Sequence, residues 1–411
     1  MKTSDNVWRG WSQGELQVHF IHTGVGESIF MIFPDSTTTL VDCGDAAAIT
    51  RGIHAVPVVP GPERLAGEWV ARYVMRANPH GREVDWLAVS HFHSDHAGTP
   101  RWQKYPRFPT EIPGSSETAA PLGGCARSGI ALAAELLRFR RATDRGWPDY
   151  RDPVPLGGNG QEQHEIADHV RSVWEALRRR DGLELEPFRL GASDQFVPER
   201  GQAPGFSIRN VCANGRFVRP DGSVDGIYAD WIVRERPAAI NENALSLGFL
   251  VSQGPFRLWL GGDFSADCSA PDGSPVRIED AIADSIGPVA VAKLNHHGHH
   301  TTSKRFFGTL SPRAWIGCVW DNLHLTDDTV DAILSSVPAG EEPPLIVPTV
   351  LPVRPEGERP WWNLVPSQCR KGAHVVVTVP SGGETFTIAL IDARDEEMRV
   401  AAEYAFKTTN H

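Results

Sequence analysis

No stretch of this chain is both long and apolar enough to span a bilayer. The opening residues, Met1 through Trp8, lack the hydrophobic run of a secretory signal. No C-x-x-C pair occurs: Cys43, Cys125, Cys212, Cys268, Cys318 and Cys369 lie far apart. That excludes a thiolate zinc ribbon and gives no disulfide framework, so a reduced, cytoplasmic protein with thiols as small core residues is expected. Positive charge is not in excess either. The formal net charge is −11 and the pI near 5.8, which disfavours non-specific binding of a polyanion over the whole surface. There is no low-complexity tract and no fixed short repeat, so solenoids and disordered linkers are not expected.

What is present is ordinary globular material: 41% apolar and 22% charged residues over 411 positions. A single domain over 1–411 is expected, with a partly helical insertion over about 106–205. Alternating apolar runs predict strands at 16–21, 28–33, 38–42, 84–90, 245–251, 256–260, 289–294, 314–319, 373–379 and 385–391. Helical spacing of Leu65, Trp69 and Tyr73 predicts a helix from Pro62 that stops at Asn78-Pro79. Further helices are expected at 130–139, at 166–177 (Ile166, Val170, Val173, Trp174 and Leu177 on one face) and at 327–334. Strands and helices in mixed order indicate a layered α/β architecture.

The chemistry concentrates after one of these strands, in Ser90-His91-Phe92-His93-Ser94-Asp95-His96. Four metal-capable side chains occupy six residues in the pattern H-x-H-x-D-H. Imidazole nitrogen with carboxylate oxygen suits zinc, with manganese or iron(II) as alternatives. On an extended segment His91 and His93 point to one side, and Asp95 and His96 at the following bend can serve a second ion. The plain alternative is a polar loop that merely contains histidines. Two later strands end in similar residues. One closes on Gly261-Gly262-Asp263, a carboxylate able to bridge two cations, and the other opens into His296, His297, His299 and His300.

Strand–H-x-H-x-D-H, strand–Gly-Asp and strand–His in this order resemble the successive motifs of the metallo-β-lactamase superfamily. Phe20 to Ser28 (F-I-H-T-G-V-G-E-S), Leu40 to Asp45 (L-V-D-C-G-D), Asn241 to Leu247 (N-E-N-A-L-S-L) and His296-His297-Gly298 are similar to the hydrolase domain of the DNA-uptake competence proteins (ComEC-like). The resemblance covers about 16–105 and 240–320. It implies an αββα sandwich with the metals at one edge of the two sheets. By position, His91 and His93 are the implied first-site ligands, Asp95 and His96 the second-site ligands, Asp263 the bridge and Asp42 a brace for the metal loop. His296 is the implied last ligand, with His297 as the alternative. The chain departs from the pattern at 241–243, which holds Asn241-Glu242-Asn243 where most of the superfamily supplies a third first-site His. Asn241, Asn243, or His164 or His169 from the insertion, are the candidates for that place. His22 and Glu27 stand where the competence-like branch has Asp.

The resemblance thus implies a hydrolase with two divalent ions, a metal-activated water as nucleophile, Asp95 orienting it, and a spare His (His297, His299 or His300) protonating the leaving group. A phosphodiester, small or within a nucleic acid, is the expected substrate. Alternatives are lactone, thioester or β-lactam hydrolysis, and a non-catalytic metal-binding module. Arg138, Arg140, Arg141, Arg145 and Arg178 to Arg180 offer a candidate basic surface, or else the solvated faces of helices. Trp361-Trp362 offers base stacking or core packing, and Ser303 and Lys304 a phosphate contact or a surface loop. No membrane partner is expected.

Overall fold

The computed structural model describes residues 6–45, 56–100, 122–150, 161–228, 240–265, 268–269, 275–299, 301–352 and 357–408. Strands run in chain order as β1 (Leu16–Phe20), β2 (Ile29–Ile32), β3 (Thr38–Val41), β4 (Glu83–Val89), β5 (Arg138–Asp144), β6 (Glu184–Leu185), β7 (Phe206–Ala213), β8 (Arg216–Val218) and β9 (Val224–Gly226). They continue as β10 (Gly248–Gln253), β11 (Phe256–Gly261), β12 (Cys268–Ser269), β13 (Pro275–Val276), β14 (Val291–Lys293), β15 (Ala314–Gly317), β16 (Leu345–Pro348), β17 (Ala373–Val379), β18 (Thr385–Asp392) and β19 (Val400–Lys407). The α-helices among the described residues are α1 (Ala66–Ala77), α2 (Ser94–Ala97), α3 (Ile130–Leu136), α4 (Gln161–Asp181), α5 (Ile278–Ile286), α6 (Lys304–Leu310) and α7 (Asp327–Ser336).

Two mixed sheets result. The first has the order β19-β18-β17-β1-β2-β3-β4-β5-β6 and the second β16-β15-β14-β11-β10-β7-β8-β9. Each is antiparallel through one part and parallel through the other: β3 to β6 in the first, and β11, β14, β15 and β16 in the second. The sheets pack face to face. Phe256 of β11 meets Phe386 of β18 at 5.2 Å, and Trp86 of β4 meets Phe196 at 4.8 Å. Strand alternation explains the layers. Leu16, Val18 and Phe20 of β1 enter the inter-sheet core, whereas His19 turns to the opposite face and meets the Tyr73 hydroxyl of α1 at 2.9 Å. On that face α1, α3 and α4 bury Val70, Val74, Ile130, Val173 and Trp174 against Leu40, Leu87 and Phe139. Phe306 and Phe307 of α6 and Ile333 of α7 pack with Trp315 of β15 on the second sheet.

The stretch 106–205 is more than a helical excursion, because β5 and β6 extend the first sheet from within it. The helix expected over 130–139 ends at Leu136, and Arg138 to Asp144 pairs in parallel with β4. Residues 106–121 and 151–160 of that stretch lie outside the described ones. Strands β7 to β9, β16 and β19 were not expected from the pattern. β19 is an edge strand with no fully buried residue, so its apolar alternation (Ala402, Tyr404, Phe406) is dilute. Trp361 and Trp362 are core residues: both are buried, and Trp361 Nε1 donates to Asp327 Oδ1 at 2.8 Å. Ser303 is the N-cap of α6, accepting from the Phe306 N–H at 3.0 Å.

Candidate metal centre

The residues that carry the motifs all follow strand ends at one edge of the two sheets. His91 to His96 follow β4, Asp263 follows β11, and His296 and His297 follow β14. The edges are stitched by backbone: Leu247 N–H donates to Ser90 O at 3.0 Å, and Gly262 N–H to Leu247 O at 3.1 Å. The short turn α2 is gripped on its other side. Glu27 N–H donates to Asp95 O (2.8 Å), Cys43 N–H to His96 O (2.9 Å) and Asp45 N–H to Ser94 O (3.2 Å). Gly44 is required there, since a Cβ would overlap the Asp95 carbonyl. The T-G-V-G-E-S and D-C-G-D loops are therefore a cradle for the H-x-H-x-D-H turn.

Two donor groups form, and they share one carboxylate. In the first, His91 Nε2 lies 3.1 Å from His93 Nδ1 and 3.8 Å from Asp263 Oδ2. In the second, Asp263 Oδ2 lies 3.0 Å from His96 Nε2 and 3.2 Å from His297 Nε2, and Asp95 Oδ2 is 3.1 Å from His297 Nε2 and 3.8 Å from His96 Nε2. By distance Glu27 belongs to this second group, with His96, Asp263 and His297. However, it meets the opposite ring nitrogen, His297 Nδ1 (3.4 Å), and is ion-paired to Lys293 Nζ (3.0 Å). Asp95 therefore faces the side of His297 that a metal would occupy, and Glu27 braces the ring from behind. Asp42 does the same for His96, with Oδ2 at 2.8 Å from Nδ1. Carboxylates behind ligating histidines fix their tautomer and raise their basicity.

The charge balance asks for cations. Glu27, Asp42, Asp95 and Asp263 are all buried, and Lys293 is the one Lys or Arg ion-paired to any of them among the described residues. Four carboxylates against one ammonium leave three negative charges out of water, which is costly unless compensated. Within the protein itself the imidazoles offset part of that charge. Burial works against charge on His96 and His297, yet Asp263 and the other carboxylates outweigh it and raise both well above the ordinary histidine range. Asp95 and Asp263 are held well below the usual carboxylate range, burial being overcome by those same two rings. Asp263 Oδ1 is buried and has no hydrogen-bond donor among the described residues. The donor set, the spacing and the charge deficit all fit divalent ions.

Of the two adjacent histidines, His297, the alternative to the expected His296, faces the donor groups. His297 joins the donor group, while His296 Nε2 faces Asn243 Nδ2 at 3.3 Å and its Nδ1 faces Ser265 Oγ at 3.4 Å. The cause is backbone: both residues are left-handed (φ 46° and 56°), so strand alternation does not continue through them. His297 thus has Nε2 among the donors and Nδ1 against Glu27. His164 is exposed on α4 and His169 Nε2 faces Ser128 O at 3.4 Å; neither belongs to a donor group. His22 is buried apart from the cluster, its N–H donating to His374 Nδ1 at 3.1 Å. His300 lies outside the described residues.

Sequence reasoning missed several supporting residues. Lys293 is fully buried and donates to Gly261 O at 2.9 Å; a lysine inside the apolar run V-A-K-L was its signal. Glu242 accepts from the Phe92 N–H at 2.9 Å, between His91 and His93, and is clamped by Arg145 through Nη2 at 2.5 Å. His324 stacks on His297 with ring centroids 4.6 Å apart, and nothing in the sequence pointed to it. The arginines weighed as a basic surface or as solvated helix faces are largely neutralised: Arg138 and Arg180 by Asp181, Arg140 by Asp85 and Glu199, Arg141 by Glu199 and Glu184, and Arg145 by Glu242.

No protein-family model matches the chain, and no curated protein is significantly similar to it. Fold and site together define an α/β protein of two mixed sheets with a buried His/Asp/Glu cluster able to hold metal ions. No helix among the described residues is long and apolar enough to cross a membrane.

Proposed function

We propose that this chain is a metal-dependent hydrolase of the metallo-β-lactamase type, acting on phosphodiesters. The observation that carries the reading is the convergence of residues 91–96, 263 and 297 into two donor groups sharing Asp263. Divalent ions held there bring the pKa of water down to about 7 and stabilise charge developing on a phosphoryl oxygen. The chain's own residues do the rest. Asp42, Ser90 and Glu27 fix the three buried imidazoles, with Ser90 Oγ 3.0 Å from His91 Nδ1. Asp95, whose pKa lies below the usual carboxylate range, would accept a hydrogen bond from the attacking water and so orient it. His93, His296 and His299 are only half-buried and form the solvent side, where a substrate enters. The paired arginines of β5 and α4 leave little unneutralised positive charge for a long polyanion, which favours a small phosphodiester over duplex nucleic acid.

The test is hydrolysis of bis-p-nitrophenyl phosphate by metal-reloaded protein, beside lactone and nitrocefin panels. Wild type should cleave the phosphodiester, and Asp95→Asn should lose about 100-fold or more in kcat. Full activity in that variant would refute the role of Asp95. Cleavage of only the carboxyl substrates would move the substrate class, and less than one ion per chain with no hydrolysis at all would leave a non-catalytic module.

A further inference from the structure

The two halves of the centre are built unequally. We propose that they fill in order: a first divalent ion on Asp95, His96, Asp263 and His297, and a second, more weakly, on His91, His93 and Asp263. The inference rests on the metal-centre reading above and adds to it which half is permanent and which depends on metal supply.

Three features point the same way. Around His96, Asp263 and His297 two further carboxylates stand, Asp95 Oδ2 at 3.1 Å from His297 Nε2 and Glu27 behind that ring, so with Asp95 this half offers four donors, the number that fills a tetrahedral site, whereas the His91 half offers three. The Asp95 half has two carboxylates, and the other half only the shared Asp263. Its two rings are also each backed by a carboxylate, Asp42 at 2.8 Å and Glu27 at 3.4 Å. By contrast His91 is backed by a serine hydroxyl at 3.0 Å, and His93 is half-buried.

The neighbours of the His91 half do not make up the shortfall. At the place where a third imidazole was expected, the Glu242 carboxylate is spent on the Phe92 N–H and the Arg145 guanidinium, and the Asn243 amide faces His296. Filling the Asp95 half also draws on the negative charge of Asp263 that the second ion needs. The weak half keeps open positions for water and substrate, and the tight half is closed by protein. At limiting metal the chain then carries one ion, and phosphodiesterase activity rises only with the second equivalent.

Calorimetric titration of the chelator-stripped full chain with Zn2+, and Co2+ titration followed by absorbance, test this directly. Wild type should show two steps, the first at least tenfold tighter. His91→Ala should remove the weak step and leave the tight one within threefold, and His297→Ala should remove the tight step. If His297→Ala fails to fold by circular dichroism, the His91→Ala arm decides alone. Loss of the tight step in His91→Ala, or two equal steps in wild type, overturns the order while leaving the centre itself in place. Wild type that binds no metal overturns both.

Discussion

Replacing Asp42 by Asn changes one atom, at 2.8 Å from a ring nitrogen, and should cost the centre most of its affinity. Asp42 Oδ1 accepts from the Ser90 N–H at 2.7 Å, and Oδ2 lies 2.7 Å from Ser90 Oγ and 2.8 Å from His96 Nδ1. A backbone N–H can only donate, so in the variant the amide oxygen must stay at the Oδ1 position. The NH2 group then occupies the Oδ2 position and donates to His96 Nδ1. His96 is forced to carry its proton on Nε2, the atom that faces Asp263 and Asp95. The serine hydroxyl can turn to accept, so the cost falls on the imidazole. Losing a partner behind a ligating histidine costs about 10–100-fold in metal affinity, or about 1.4–2.8 kcal/mol, and the wrong tautomer places this case at the upper end. The left-handed backbone of Asp42 (φ 59°) accommodates Asn readily, so the fold should persist. Competition against a chromophoric chelator reads the affinity, and a thermal melt of the stripped protein guards against misfolding. A folded Asp42→Asn protein that binds zinc within threefold of wild type would refute the reasoning.

Stability of the chelator-stripped protein should peak near pH 6.5. Burial lowers His19 to about 3 and His22 and His169 to about 4, so the unfolded chain binds more protons below 6.5 and each histidine removes about 1.4 kcal/mol per pH unit on the acid side. Glu279, raised to about 8 by burial, holds an extra proton in the folded state between 4.5 and 8, so its contribution is lost as pH rises through that range; the raised His96 and His297 add to this alkaline decline. Urea midpoints that stay flat from pH 4.5 to 6.5 would contradict the assignment of those histidines as neutral. Separately, Glu242→Gln should cost about 3–5 kcal/mol in unfolding free energy, because it strands the buried Arg145 charge, whereas replacing both by apolar residues of similar volume should cost far less. Equal losses in the single and double variants, measured by urea unfolding, would show that the pair does not act as a unit.

Much of the fold was legible because burial on one face of a strand or helix writes a period into the chain. β1 to β4, β10, β11, β14, β15, β17 and β18, together with α1, α4 and α7, fall where alternation or helical spacing is undiluted. β5 was hidden by four charged residues, Asp144 and three arginines, and the partners of those arginines lie far off in sequence. Arg140 meets Asp85, and the fully buried Asp144 accepts from Trp174 Nε1 at 2.7 Å and the Tyr150 hydroxyl at 2.8 Å. A strand that neutralises its charges by tertiary contact reads in isolation as a surface segment. The two alternatives for the arginines could not be separated for the same reason, since a count of basic residues says nothing about the carboxylates folded against them.

The histidine choice after β14 shows where such reasoning must stop. A strand assigns alternate residues to alternate faces, so the last ligand can be read off only while extended backbone continues. Lys293 is still in the ladder, and its side chain points inward to Glu27. Beyond Leu294 the chain leaves the sheet, and at His296 and His297 two successive non-glycine residues take the left-handed conformation, each at a cost of roughly 1–3 kcal/mol. Strain of that kind persists only when surrounding contacts over-determine it. Here they are Asn243 and Ser265 on one ring, and Glu27, Asp95, Asp263 and His324 on the next. Every one of those partners lies at least 27 positions away, so no local pattern at 296–297 could have encoded which ring turns inward. The information sits in the Glu27 and Asp95 side of the cradle, and it is read only once the two sheets have closed.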